Sequence, residues 1–305
     1  MSMREVKKLQ GVKMTEGRII RSYSDWFDVL TPHGVFACQL RGRFRRIGRP
    51  LTGDWVSITA HDHETGVIEQ IHERKNQLHR PPVANVDQAV LVMSLVQPDL
   101  NVMLLDRSLV LVEHEGLDSL ICFSKTDLVP EDVVRNVVAL YSQAGYRTLP
   151  VSTRTEAGID TLHEHLMGKT SVFAGPSGAG KSSLLNAIHP GLRLAVATVS
   201  KSTGRGRHTT RKVELLKVSE DALVADTPGF SRLDMTFLTK WDVSQYFREL
   251  AERKDQCRFL DCLHRQEPGC AVKQAVEDGI IARSRYENYL ILVTECEDIE
   301  RRKYT

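Results

Sequence analysis

The chain has 305 residues, and 41 Lys and Arg stand against 39 Asp and Glu, a formal net charge of only +2. That length implies two or three domains, and the near-neutral balance excludes a chain that is basic throughout, so any nucleic-acid contact must come from local charge. No apolar run approaches the ~20 residues of a membrane span, and residues 1–13 are polar and basic without an apolar signal core, so the expectation is a cytoplasmic protein with no membrane partner.

From about residue 14 to 75 the chain reads as all-β. Segments 17–23, 26–30, 35–40, 54–59 and 66–71 are short and rich in β-formers, and turn residues such as Pro32, Gly34 and Gly53 separate them. Five such strands fit a small barrel of OB type, assigned to residues 1–75. Between the third and fourth lie Arg41, Arg43, Arg45, Arg46 and Arg49 with Phe44. This stretch is either a phosphate-backbone contact or a solvated loop.

Arg80-Pro81-Pro82 reads as a linker, after which strands and helices alternate. Strands are expected at 88–96, 118–123, 147–151 and 171–174, helices at 101–115, 131–144 and 158–167, and two last strands at 213–218 and 222–226. The pattern predicts a parallel α/β nucleotide domain over 76–232.

The chemistry concentrates at Gly175-Pro176-Ser177-Gly178-Ala179-Gly180-Lys181-Ser182-Ser183, a G-x-x-x-x-G-K-[ST] phosphate loop between strand and helix. Glycines let successive backbone N–H groups turn around an anion, and the helix adds its positive end. Lys181 is expected to reach the β/γ-phosphates and Ser182 to ligate Mg²⁺. This loop alone also suits a transporter ATPase or a nucleotide kinase. Asp226-Thr227-Pro228-Gly229, some 45 residues on at a strand's end, supplies a carboxylate for Mg²⁺ through water and the Gly229 N–H for the γ-phosphate. No transporter-type L-S-G-G-Q signature accompanies it.

Upstream, Ser124-Lys125-Thr126-Asp127 resembles the guanine-reading N-K-x-D of GTPases, with Ser124 in place of asparagine and therefore of shorter reach. Asp127 would accept the N1–H and N2–H₂ donors that adenine lacks. Ser152-Thr153 falls where a short loop meets guanine O6. The base motifs precede the phosphate loop, the reverse of the usual order, which implies a circularly permuted GTPase domain.

Cys257-x₄-Cys262-x-His264-x₅-Cys270 offers three thiolates and one imidazole, the donor set of a closed, structural Zn²⁺ site. It lies in a last region, 233–305, with helical flanks at 242–254 and 271–299. Cys38, Cys122 and Cys296 sit in apolar contexts as core residues.

The barrel, the permuted order, the phosphate loop, the Cys/His set and Gly204-Arg205-Gly206-Arg207-His208-Thr209-Thr210-Arg211 together resemble the RsgA (YjeQ/YloQ) family over nearly the whole chain. That resemblance implies a ribosome-stimulated GTP hydrolase assisting maturation of the small (30S) ribosomal subunit. It implies contact with 16S rRNA through the barrel and zinc domain, GTP/GDP with Mg²⁺, one structural Zn²⁺ and a monomeric chain. It also places the first-switch threonine at Thr209 or Thr210 and a candidate catalytic histidine at His208. Phe230 stands where many GTPases carry the glutamine that orients water, so intrinsic hydrolysis should be slow. The competing readings are a nucleotide-regulated RNA-binding module with little turnover and a P-loop ATPase.

Overall fold

The computed structural model describes residues 14–41, 49–79, 82–192, 213–226 and 235–303. Alternation of apolar and polar residues builds the first unit. β1 (Met14–Tyr23), β2 (Trp26–Thr31), β3 (Gly34–Leu40), β4 (Trp55–Ala60) and β5 (Thr65–Ile71) pair in the order β1-β2-β3-β5-β4, and β1 also pairs with β4. The sheet thus closes on itself as the expected five-stranded barrel. Period-two side chains, among them Phe27 and Val29 on β2, fill its interior with Ile19, Phe36, Cys38, Val56, Ile58 and Ile68.

The segment read as a linker is more structured than its prolines suggest. β6 (Gln77–His79) and β7 (Pro82–Ala84) form a hairpin, and Val83 bridges to Thr52 of the barrel. Pro82 is tolerated as the first residue of its strand, where a missing N–H costs least. Beside this hairpin the buried Arg18 guanidinium donates to Gly53 O (3.2 Å), Thr170 Oγ1 (2.5 Å) and Asn85 O (2.6 Å). One side chain thereby ties the barrel to the connection and to the strand that leads into the phosphate loop.

The second unit is a six-stranded run, β10 (Arg147–Pro150), β9 (Asp118–Ser124), β8 (Gln88–Ser94), β11 (Thr170–Ala174), β13 (Leu223–Asp226) and β12 (Glu214–Lys217). β8 is buried along its whole length and sends alternate residues to opposite faces. Leu91 and Met93 pack toward α1 (Val102–His114) and α2 (Glu131–Gln143), while Val90 and Val92 pack toward α3 (Ile159–Leu166) and α4 (Lys181–Ile188). All pairings are parallel except β12–β13. The expected parallel α/β domain thus carries one antiparallel strand, because residues 218–222 are too few for a crossover and allow only a hairpin. β12 also pairs antiparallel with β1 through Arg21 and Glu214, so barrel and central sheet are continuous.

The last unit is helical. α5 (Arg248–Ala251), α6 (Ala271–Glu277) and α7 (Arg283–Lys303) enclose Phe247, Leu250, Val272, Tyr289, Leu292, Val293 and Cys296, together with Val110 from α1. The expected flanks prove shorter: 242–254 is broken into single turns, and Gly279, with φ +72°, ends the first part of 271–299. Arg285 of α7 is 1% exposed at this junction and faces Asp106 of α1 and Glu249 of α5. Among the described residues no helix is long and apolar enough to cross a membrane.

Candidate nucleotide site and metal centre

The phosphate loop leaves β11 in a shape that requires glycine. Gly175 has φ +143°, and a Cβ on it would stand 2.0 Å from Val92 O on β8. Gly178 and Gly180 also have positive φ, and Gly180 caps α4. The first-turn amides of α4, from Lys181, Ser182 and Ser183, face the loop without intrahelical acceptors. Lys181 Nζ folds over this curve and donates to Gly175 O (2.7 Å) and Pro176 O (2.8 Å). A cationic group and several N–H donors therefore share one concave turn, the arrangement that holds a polyphosphate.

The base motif stands beside it. β8 lies between β9 and β11 in the sheet, so the C-terminal ends of these strands open on one edge. Ser124, the last residue of β9, is 3% exposed, and its Oγ donates to Ala179 O in the phosphate loop at 2.5 Å. The short serine side chain is thus used to bind the two motifs together. Lys125 adopts a left-handed backbone (φ +59°), and its Nζ donates to Gln97 O. Burial lowers the Lys125 pKa. Thr126 is held by its N–H and hydroxyl on Val151 O, at 3.4 and 3.1 Å.

Asp127 is aimed by Ser152. Ser152 is 1% exposed, and its Oγ accepts the N–H groups of Arg154 and Thr155, both at 3.2 Å, and donates to Asp127 Oδ1 at 2.5 Å. That donated hydrogen bond is the main cause of a lowered Asp127 pKa; burial opposes it, and the residue's own N–H and the Arg154 charge add to it. Ser152, in the loop expected to meet guanine O6, turns its hydroxyl to the Asp127 carboxylate. Arg154, which carries no motif signal, forms an ion pair with Asp127 (Nε–Oδ2 2.7 Å).

β13 runs parallel to β11 with Val172 opposite Ala225, which brings the backbone of Asp226 level with the end of the phosphate-loop strand. Gly229, His208, Thr209, Thr210, Phe230 and the arginines Arg43, Arg45 and Arg46 lie outside the described residues.

Cys257, Cys262, His264 and Cys270 converge, with their donor atoms all within 4.8 Å of one another. Cys257 Sγ and Cys270 Sγ are 3.9 Å apart, and His264 Nδ1 lies 3.5 and 3.4 Å from them. Tetrahedral zinc with bonds of ~2.0–2.3 Å separates its donors by ~3.5–3.8 Å, so the set fits that ion. Burial lowers the His264 pKa, which favours the neutral imidazole that ligates. The surrounding loop is fixed from outside: Tyr286 Oη donates to His264 O (2.5 Å) and Tyr289 Oη to Leu263 O (2.9 Å). Glu267 accepts the N–H groups of Leu263, Arg265 and Gln266.

Two family models match, "RsgA N-terminal domain" over residues 16–68 and "RsgA GTPase" over 71–236. A small ribosomal subunit biogenesis GTPase RsgA from Caldanaerobacter subterraneus subsp. tengcongensis is 42% identical, over 95% of this chain and 98% of that protein. One of the same name from Moorella thermoacetica is 46% identical, over 94% and 99%. Among solved structures, YloQ, described as a circularly permuted GTPase, superposes with a TM-score of 0.80 at 40% identity over 95% of this chain and 98% of that one. YjeQ from Thermotoga maritima superposes with a TM-score of 0.82 at 39% identity over 93% and 99%. With its closed barrel, its base motif ahead of its phosphate loop and its Cys/His cluster, the chain belongs to the RsgA family of circularly permuted GTP hydrolases.

Proposed function

We propose that this GTP hydrolase assists maturation of the small (30S) ribosomal subunit in the cytoplasm as a monomer, contacting 16S rRNA through its barrel and its zinc-bearing helical domain. The observation that carries the nucleotide reading is the Ser124–Ala179 hydrogen bond of 2.5 Å, which sets the base motif against the phosphate loop although the chain meets them in inverted order. The ribosomal reading rests on the printed names of relatives that match over nearly their whole length. In domain terms we assign residues 1–75 to RNA contact, 76–232 to GTP and 233–305 to the metal-bearing unit.

Within the site each residue has a task. The turn Gly175, Pro176, Ser177, Gly178, Ala179 and Gly180 wraps the phosphates, with backbone N–H groups from all but Pro176, which has none; Lys181 neutralises the β/γ-phosphates, and Ser182 and Asp226 would hold Mg²⁺. Ser183 adds a first-turn amide. Asp127 reads guanine, Ser152 and Thr126 keep its loop in place, and the Lys125 stem lies along the base. Mg²⁺ supplies charge neutralisation on the β- and γ-phosphates when bound. Thr209 or Thr210 and Gly229 sense the γ-phosphate, and His208 orients the attacking water in place of the glutamine absent at Phe230. The four-donor set Cys257, Cys262, His264 and Cys270 holds one Zn²⁺ that is structural, because no ligand position stays open for chemistry.

The deciding experiment is GTP turnover titrated with purified small subunits. Stimulation by subunits is expected, with a low rate in their absence. A rate that subunits leave unchanged would favour the nucleotide-regulated binding module, and equal affinity for GTP and ATP would overturn the base assignment. Replacing Arg43, Arg45 and Arg46 together should flatten the salt dependence of subunit binding.

A further inference from the structure

Arg154 occupies one oxygen of the carboxylate to which the base reading is assigned. Its Nε lies 2.7 Å from Asp127 Oδ2, and its Nη2 donates to the backbone carbonyl of Asp127 at 3.2 Å. The other carboxylate oxygen, Oδ1, already receives the Ser152 hydroxyl. Arg154 adds little to the aim of Asp127, since the buried Ser152 supplies it. The Arg154 side chain is also 68% exposed, with its fork at the end of a long stem.

The chemistry of the two competitors is the same. The reading edge of guanine is an N1–H, C2, N2–H₂ fork, a guanidine fused into the ring. Arg154 presents an Nε–H, Cζ, Nη–H fork to the same residue. We propose that Arg154 is an internal mimic of the guanine edge, an affinity-determining residue that covers Asp127 as a base leaves and yields it when a base arrives. It accelerates guanine-nucleotide release by replacing a departing donor at Asp127 Oδ2, the oxygen that Ser152 does not serve. This rests on the assignment of Asp127 as the base reader.

The size follows from the exposure of Arg154, since one exposed partner leaves the pair screened by solvent although Asp127 is only 8% exposed. Exposed ion pairs amount to a factor of roughly two to five in an equilibrium, and screening weakens them as salt rises. The test is dissociation of a fluorescent GDP from the full-length protein and from the variants Arg154→Ala, Arg154→Lys and Asp127→Asn, at low and high salt. Arg154→Ala should bind GDP about two- to fivefold more tightly, mainly through slower release. The difference from the unaltered protein should shrink at high salt, and Arg154→Lys, which keeps the charge and loses the fork, should fall between them. Weaker GDP binding by Arg154→Ala, or a gain that salt leaves unchanged, overturns the proposal. Asp127→Asn separates the two readings. If it loses GDP affinity while Arg154→Ala matches the unaltered protein, only the mimic fails; if it keeps GDP affinity, the base assignment itself fails.

Discussion

Arg285 and Asp106 are 179 residues apart in the chain, yet Arg285 Nη1 lies 2.5 Å from Asp106 Oδ1, with both side chains almost wholly buried. Glu249 completes the pairing with a two-pronged contact to the same guanidinium at 2.7 and 3.1 Å. Tyr141 and Asn288 also donate to Asp106, at Oδ1 and Oδ2, and the guanidinium lies over the Phe247 ring, 4.6 Å from its centroid. Burial alone would lower the Arg285 pKa, but the two carboxylates more than reverse that and hold it well above the ordinary value. This cluster joins α1 of the nucleotide domain to α5 and α7.

Arg285→Met should therefore be costly, because it strands two buried carboxylates. Removing one partner of such a pair destabilises by about 3–5 kcal/mol. Urea unfolding of the full chain should show a lower midpoint with an unchanged slope. A loss below about 1 kcal/mol would mean that the carboxylates find other partners or take up protons.

Lys181→Ala removes the only cation on the described turn of the phosphate loop. Charged hydrogen bonds contribute about 1.5–3 kcal/mol, so GDP and GTP affinity should fall roughly 10- to 150-fold by calorimetric titration. The fold should survive, since Lys181 donates to the Gly175 and Pro176 carbonyls of its own loop.

Ser152→Ala tests how Asp127 is kept ionised. The Ser152 hydroxyl is the main cause of the lowered Asp127 pKa. A carboxyl with a depressed pKa stays charged down to that pKa and loses its contribution as pH falls through it. Without the hydroxyl the pKa rises toward the ordinary value near 4. GDP affinity of the variant should then fall away at a higher pH than that of the unaltered protein as the solution is acidified. Superimposable pH profiles would assign the ionisation of Asp127 to other groups.

Atomic absorption should find one zinc per chain, and Cys262→Ser should lower that occupancy. Structural zinc sites are coupled to folding of their segment. Chelation should flatten the near-ultraviolet dichroism of the α6–α7 core, where Tyr286 and Tyr289 are tied to the ligand loop. Dichroism unaffected by complete metal removal would contradict a structural role.

The phosphate loop, the base motif and the Cys/His set were readable from sequence because each packs its chemistry into a few neighbouring residues. The barrel was readable because five alternating strands leave few ways to close. What could not be read depends on distance along the chain or on the direction of one side chain. Ser124 was expected to hydrogen-bond with a shorter reach than asparagine, but its partner, Ala179 O, 55 residues on, was not legible. The direction of the Ser152 hydroxyl, toward Asp127, could not be read from its place in the expected base loop. The Arg80-Pro81-Pro82 punctuation suggested a loose connection, while its flanks zip into a hairpin. Arg18, Arg154 and Arg285 look like surface charges in sequence, and two of them are buried through partners that only the fold supplies.

The joining of β1 to β12 has a consequence for solubility. A strand at the rim of a sheet exposes unpaired N–H and C=O groups and invites another chain to add on. The far rim is defended by its sequence, since β10 is four residues long and bears Arg147 and Pro150. β12 has no proline and relies on the barrel, whose β1 meets it at Arg21 and Glu214, and on Thr52, whose hydroxyl donates to Val213 O just before the strand. Cutting the chain after the barrel would uncover this rim, and the remaining fragment should self-associate more readily than the whole chain.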